Sequence, residues 1–117
     1  MNVDAFIQRF SAGLAVMEEL PLSQTRRAYD KLCYTFAPPD PAGMQIDNSV
    51  LGGVSVRRFI PQRRMPGCVL FIHGGGFTIG STESHHGPAA SLAQMLEREV
   101  VSVNYRLAPE VDYPAML

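Results

Sequence analysis

Apolar residues at Val3, Phe6, Ile7, Phe10, Leu14 and Met17 recur at intervals of three and four, which predicts an amphipathic helix from Val3 to about Glu19. Pro21 ends it, and Ser23 reads as the N-cap of a second helix running to about Cys33, with Tyr29 and Leu32 on its apolar side. The helical pattern then breaks. Between Ala37 and Gly43, Pro38, Pro39, Pro41 and the glycine make continued helix costly and mark a linker. Met44–Ser49 and Val54–Ile60 are rich in β-branched and apolar residues, and Gly52-Gly53 between them suits a hairpin. Cys68–Ile72 is apolar without alternation, the pattern of a strand buried on both faces. A helix follows from about Pro88, placed at a first helical position, to Arg98, with Ala89, Leu92, Ala93 and Leu96 facing inward. Val100–Val103 closes the pattern as another buried strand.

Strand, glycine loop, helix and strand make a βαβ unit, whose ligand site belongs at the carboxyl ends of the strands. The expected architecture is therefore α/β, with a helical segment over residues 1–37 followed by a mixed sheet over 38–117. At 117 residues the chain has room for one small domain or part of one. Ten Lys and Arg against eleven Asp and Glu leave a net charge of -1 with no basic stripe, so nothing points to nucleic acid. Arg57, Arg58, Arg63 and Arg64 read as a solvated turn between strands. Cys33 and Cys68 lack metal-ligand spacing and read as two free thiols, so neither a metal nor a cofactor is expected. Asp4, Arg9, Glu18 and Glu19 interrupt the apolar N-terminus, leaving no signal-peptide core and no membrane span, and the expectation is a soluble cytoplasmic protein.

Two motifs fall where the βαβ unit would place chemistry. The first is His73-Gly74-Gly75-Gly76-Phe77, directly after a strand. Consecutive glycines are costly in backbone entropy, which fits a loop whose N–H groups a ligand must approach closely, and equally a tight turn without chemistry. Gly74, Gly76 and Gly80 superficially suggest a dinucleotide turn, but the next helix starts too late to meet a pyrophosphate and the next strand ends in Asn104 rather than an acid. The second motif is Asn104-Tyr105-Arg106-Leu107-Ala108-Pro109-Glu110, with Tyr113-Pro114-Ala115 after it. A strand ending in HGGGF, a helix, and a strand ending in YRLAPE together resemble the hormone-sensitive-lipase-like (bacterial family IV) esterases of the α/β-hydrolase superfamily, strongly over Val69–Ala115 and loosely before it.

That resemblance implies that the N–H groups of Gly74 and Gly75 form part of an oxyanion hole for a small-molecule ester. It further implies that His73 fixes the loop, that Gly76 completes the motif, and that Phe77 lines the pocket wall. The N-terminal helices would form part of a cap, although they could equally just cover apolar sheet surface. Arg106 and Glu110 would brace the floor of the site. Asn104 departs from the acidic residue usual before the tyrosine, and His86 stands where the family often has Asp; His85 and His86 both read as loop residues. Such esterases carry their Ser, Asp or Glu, and His downstream, the Ser on a G-x-S-x-G elbow, and none of the three motifs lies in these 117 residues. Gly53-Val54-Ser55-Val56-Arg57 lacks the final glycine and lies upstream on a strand. The leading expectation is an N-terminal part of an esterase, inactive by itself. A non-catalytic module engaging an anion or another chain, and a nucleotide-binding βαβ protein, stay open beside it. An uncovered sheet edge would invite self-association.

Overall fold

A computed structural model of the chain describes residues 1–116. Its elements run α1 (Val3–Met17), α2 (Leu22–Phe36), β1 (Gln45–Leu51), β2 (Val54–Ile60), β3 (Cys68–Ile72), α3 (His86–Leu96) and β4 (Glu99–Val103). The Asn2 side chain accepts the Ala5 N–H at 2.8 Å and opens α1, with Asp4 in its first turn. The second helix begins earlier than Ser23 predicts. Pro21 occupies the N-cap without a side-chain bond, and its carbonyl accepts from the N–H groups of Gln24 and Thr25 at 2.9 Å each. A backbone carbonyl thus takes the part expected of the serine, and Ser23 becomes the second helical residue. Phe6 and Phe10 of α1 close on Phe36 at the far end of α2, with ring centroids 5.3 and 5.8 Å away, which carries α2 three residues past Cys33.

The four strands form one mixed sheet in the order β1-β2-β4-β3. β1 and β2 pair antiparallel from Gln45↔Ile60 to Leu51↔Val54 around the Gly52-Gly53 turn, β2 pairs antiparallel with β4, and β3 lies parallel to β4 from Cys68↔Glu99 to Ile72↔Val103. Parallel neighbours need a crossover, and α3 supplies it. It starts at His86, two residues before Pro88, a shift that costs little because the first-turn N–H groups have no intrahelical partner anyway. It ends at Leu96, and Glu97 takes the left-handed C-cap conformation, so Arg98 lies outside. Ala89, Ala90 and Ala93 bring the helix close onto Phe59 and Val100, with Ile46, Val69 and Phe71 packed around them. This is the core.

Only one face of the sheet is covered in this way. The chain is a slab of 44 × 40 × 16 Å with a radius of gyration of 15.2 Å, whereas a compact domain of this length would have about 13 Å. β3 is the sheet's edge, and Leu70 and Ile72 are 62% and 68% exposed, so the expectation of a strand buried on both faces is corrected. Its apolar run carries one set of side chains into the core and leaves the other set open.

The arginines also depart from expectation. Arg57 and Arg58 lie on β2; Arg57 donates to Glu83, to Asn48 Oδ1 at 2.9 Å and toward His86 Nδ1 at 3.1 Å. Arg58 and Arg64 both hold the buried Glu99. Three of the four are bound to the fold rather than waving from a turn. Cys33 and Cys68 are free thiols.

Candidate active site

The segment after β3 is shaped by its glycines, and each has its own reason. Gly75 has φ +134°, and a Cβ there would lie 1.9 Å from the Ile79 carbonyl oxygen. Gly80 has φ +99°, and a Cβ there would meet the Gly74 oxygen at 2.5 Å and His73 Nδ1 at 2.6 Å. Gly76 needs only its left-handed φ of +60°, with open space around it, and Gly74 needs neither freedom. The loop closes because the Gly75 carbonyl accepts the N–H groups of Thr78 and Ile79 at 3.2 and 3.1 Å. Phe77 within that turn has φ +63°, sparsely populated for an aromatic residue, and strain of this kind gathers at functional loops.

Among the described residues, the N–H groups of Gly74 and Gly75 make no hydrogen bond with the backbone or a side chain. Their own carbonyls do the loop's bonding: that of Gly75 closes the turn, and that of Gly74 accepts from His73 Nδ1 at 2.8 Å. A carbonyl can only accept, so Nδ1 carries the proton. His73 is 3% exposed, and its Nε2 has no partner among the described residues. The ring stacks on Tyr105, centroids 4.3 Å apart, and on His85 at 5.3 Å. Burial, and then the neighbouring His73, push the His85 pKa below its ordinary value, which favours the neutral ring. Burial raises the Tyr105 phenol, keeping it a donor, and its O–H bonds to the His73 carbonyl at 2.8 Å.

The two motifs therefore meet. The Ala108 N–H donates to the Phe77 carbonyl at 2.8 Å, tying the segment after β4 to the turn after β3. Arg106 and Glu110 do not pair with each other: Arg106 reaches the Ala115 carbonyl at 2.7 Å, and Glu110 pairs with Arg26 of α2 at 2.9 Å. Phe77, 63% exposed, lines an apolar cleft of about 190 Å³ with Leu70, Ile72, Val103, Tyr105 and Met116. His85 lies in the turn before α3, at its N-cap, as expected of a loop residue, whereas His86 is the first residue of the helix, its Nε2 2.6 Å from Asp40 Oδ1.

Comparison with known proteins gives this arrangement a context. A family profile described as the alpha/beta hydrolase fold matches residues 69–117, which contain both motifs. A versiconal hemiacetal acetate esterase of Emericella nidulans is 35% identical over 85 residues, 72% of this chain and 29% of that one. Esterase LipI of Mycobacterium tuberculosis is 49% identical over 49 residues, 42% of this chain and 15% of its own. A crystal structure of a hormone-sensitive lipase from a metagenome library superposes with a TM-score of 0.81 at 30% identity, covering 99% of this chain and 39% of that one. The chain belongs to the hormone-sensitive-lipase-like family of the α/β-hydrolase superfamily. It spans 29% or less of the length of these two curated relatives.

Within that family frame, the structure brings His73, Gly74, Gly75, Gly76 and Phe77 together in one turn beyond the carboxyl end of β3, backed by Tyr105. Sequence reasoning misses three residues that hold this turn. Gly80 enters it only as part of a dinucleotide pattern, although its spacing from His73 is visible. Arg26 and Asp30 of α2 reach the loop at Thr78 and Ser81. No local signal in a helix marks a residue that will meet a segment more than 50 positions away.

Proposed function

We propose that this chain is the N-terminal part of a serine-type carboxylic-ester hydrolase, and that the N–H groups of Gly74 and Gly75 supply two donors of its oxyanion hole. The observation that carries the proposal is that, among the described residues, these adjacent amides make no hydrogen bond, while the carbonyls of the same two glycines are engaged in closing the loop. When a nucleophile adds to an ester carbonyl carbon, the carbonyl oxygen gains negative charge, and donors fixed beforehand stabilise that charge without reorganising. His73 and Gly76 hold the loop in shape, and Phe77 forms a wall of the substrate cleft. The substrate is a small-molecule ester. Helices α1 and α2 belong to the cap over it.

The nucleophile, its acid and its His have no counterpart motif in these 117 residues, and the third oxyanion donor follows the nucleophile. The 117 residues alone should therefore leave p-nitrophenyl acetate unhydrolysed above background; turnover at an ordinary enzymatic rate would refute the assignment. The coding sequence read onward from Leu117 supplies the complementary test. A G-x-S-x-G elbow there allows the longer chain to be assayed, in which Gly75→Ala keeps its N–H but collides with the Ile79 carbonyl and so swings the amides off target; kcat is expected to fall about 10²- to 10³-fold, comparable to losing one oxyanion donor.

A second reading, a module that binds another chain through the sheet edge, is favoured by one observation: among the described residues β3 has no strand partner on its outer side, and Leu70 and Ile72 are exposed.

A further inference from the structure

α2 presents Arg26, Tyr29, Asp30 and Cys33 on one side, the spacing of neighbours along a helix face. Two of these side chains, Arg26 and Asp30, bond to the segments that follow β3 and β4. Arg26 Nε donates to the Thr78 carbonyl at 2.8 Å, its Nη2 donates to the Ala108 carbonyl at 2.7 Å, and the same Nη2 lies 2.9 Å from Glu110 Oε2. One turn further on, Asp30 Oδ1 accepts from Ser81 Oγ at 2.7 Å. A single guanidinium thus joins the turn after β3, the segment after β4 and a helix from the chain's start.

We propose that Arg26 is a positioning residue for the 74–80 loop, fixing through Thr78 and Ala108 the direction in which the glycine amides point. The inference rests on the esterase reading for its purpose, since only a loop that must aim donors needs such fixing. Its physical basis is independent of that reading. The Thr78 N–H and carbonyl are both engaged, the first with Gly75 and the second with Arg26. Phe77, next to it, is tied to the same Ala108 whose carbonyl Arg26 also holds. The loop and the 105–110 segment are therefore locked to each other directly and through Arg26. Hydrogen bonds from a charged donor are the stronger kind, and the planar fork of arginine satisfies two divergent carbonyls where a lysine ammonium is a single point of charge. α2, as an element of the cap, is then also bonded into the framework of the site.

Amide hydrogen exchange by NMR on the whole 117-residue chain tests this. The reporters are the N–H groups of Thr78 and Ile79, which close the loop, and of Ala108, which ties it to the second motif. Arg26→Ala is expected to speed their exchange by roughly tenfold or more, as loss of charge-assisted bonds implies, while amides of β2 and β4 keep their rates. Arg26→Lys should act in the same direction and keeps the test open if the alanine variant does not fold. Glu110→Gln, which leaves both carbonyl contacts in place, should have a smaller effect. Unchanged loop exchange in both Arg26 variants, an equal rise throughout β2 and β4, or a Glu110→Gln effect as large as that of Arg26→Ala would each overturn the proposal. No ester enters the measurement, so its failure is distinct from failure of the esterase reading, which the hydrolysis assays decide.

Discussion

Gly74→Ala and Gly75→Ala differ by one position and should differ greatly in consequence. At position 75 a methyl group would lie 1.9 Å from the Ile79 oxygen and 2.7 Å from its carbonyl carbon, and the backbone φ of +134° is itself hostile to alanine. The turn must open to admit the methyl, which gives up the Thr78 and Ile79 bonds to the Gly75 carbonyl. Backbone strain of about 1–3 kcal/mol and two hydrogen bonds of about 0.5–1.5 kcal/mol each put the cost at roughly 2–6 kcal/mol. If the loop opens locally rather than staying strained, the cost is nearer the lower end. At position 74 an added methyl would find no atom within 4 Å and φ is unremarkable, so the change should fall within about 0.5 kcal/mol. Urea denaturation followed by far-UV circular dichroism measures both. For a domain of this size 1 kcal/mol shifts the melting temperature by about 4–8 °C, so a thermal scan also separates the two variants. Equal destabilisation by both changes, or a neutral Gly75→Ala, would refute the account of why this loop needs its glycines.

Acid should weaken the fold. Hydrogen bonds from Arg57, Arg58 and Arg26 hold Glu83, Glu99 and Glu110 respectively below the ordinary carboxylate value of 4.5. A depressed folded pKa stabilises above the unfolded value and loses that contribution as pH falls through the folded one. The melting temperature should therefore drop on titration below about pH 4.5, and Glu99→Gln should shrink the drop; a flat acid limb in the parent chain would contradict this. The open edge of β3 should make the chain self-associate with rising concentration, and Ile72→Lys should reduce that in sedimentation velocity; a parent chain monomeric up to its solubility limit would remove the edge as an interaction surface. Phe59, fully buried between β1, β4 and α3, should cost about 3–5 kcal/mol when changed to alanine, enough to unfold so small a core in urea titrations; a loss below about 1 kcal/mol would place the core elsewhere.

Much of this protein is legible in its residue order, because the signals involved are local. The three-and-four spacing of Val3 to Met17 marks a helix with one apolar face, Gly52-Gly53 marks a hairpin turn, and the run from Val100 to Val103 marks a strand. The HGGGF and YRLAPE segments identify the family from side-chain identity and order alone. Element ends are less secure, because caps are decided by whichever group satisfies the end: Pro21 supplies a carbonyl where Ser23 offers a hydroxyl, and Pro88 sits inside the first turn of α3 rather than at its start.

What only the tertiary structure decided is which groups meet across distance. The composition of Cys68–Ile72 specifies a strand, but whether both its faces are covered depends on what lies beside it, and here β3 is an edge with one apolar face open. Arg26 is one polar residue among several on α2 until the fold sets it against Thr78 and Ala108, 52 and 82 positions away. Three glycines in a row announce a special loop, yet only the position of the Ile79 oxygen shows that Gly75 is the one that admits no side chain. Sequence determines conformational preference within a few bonds, and packing determines which atoms are left free to act.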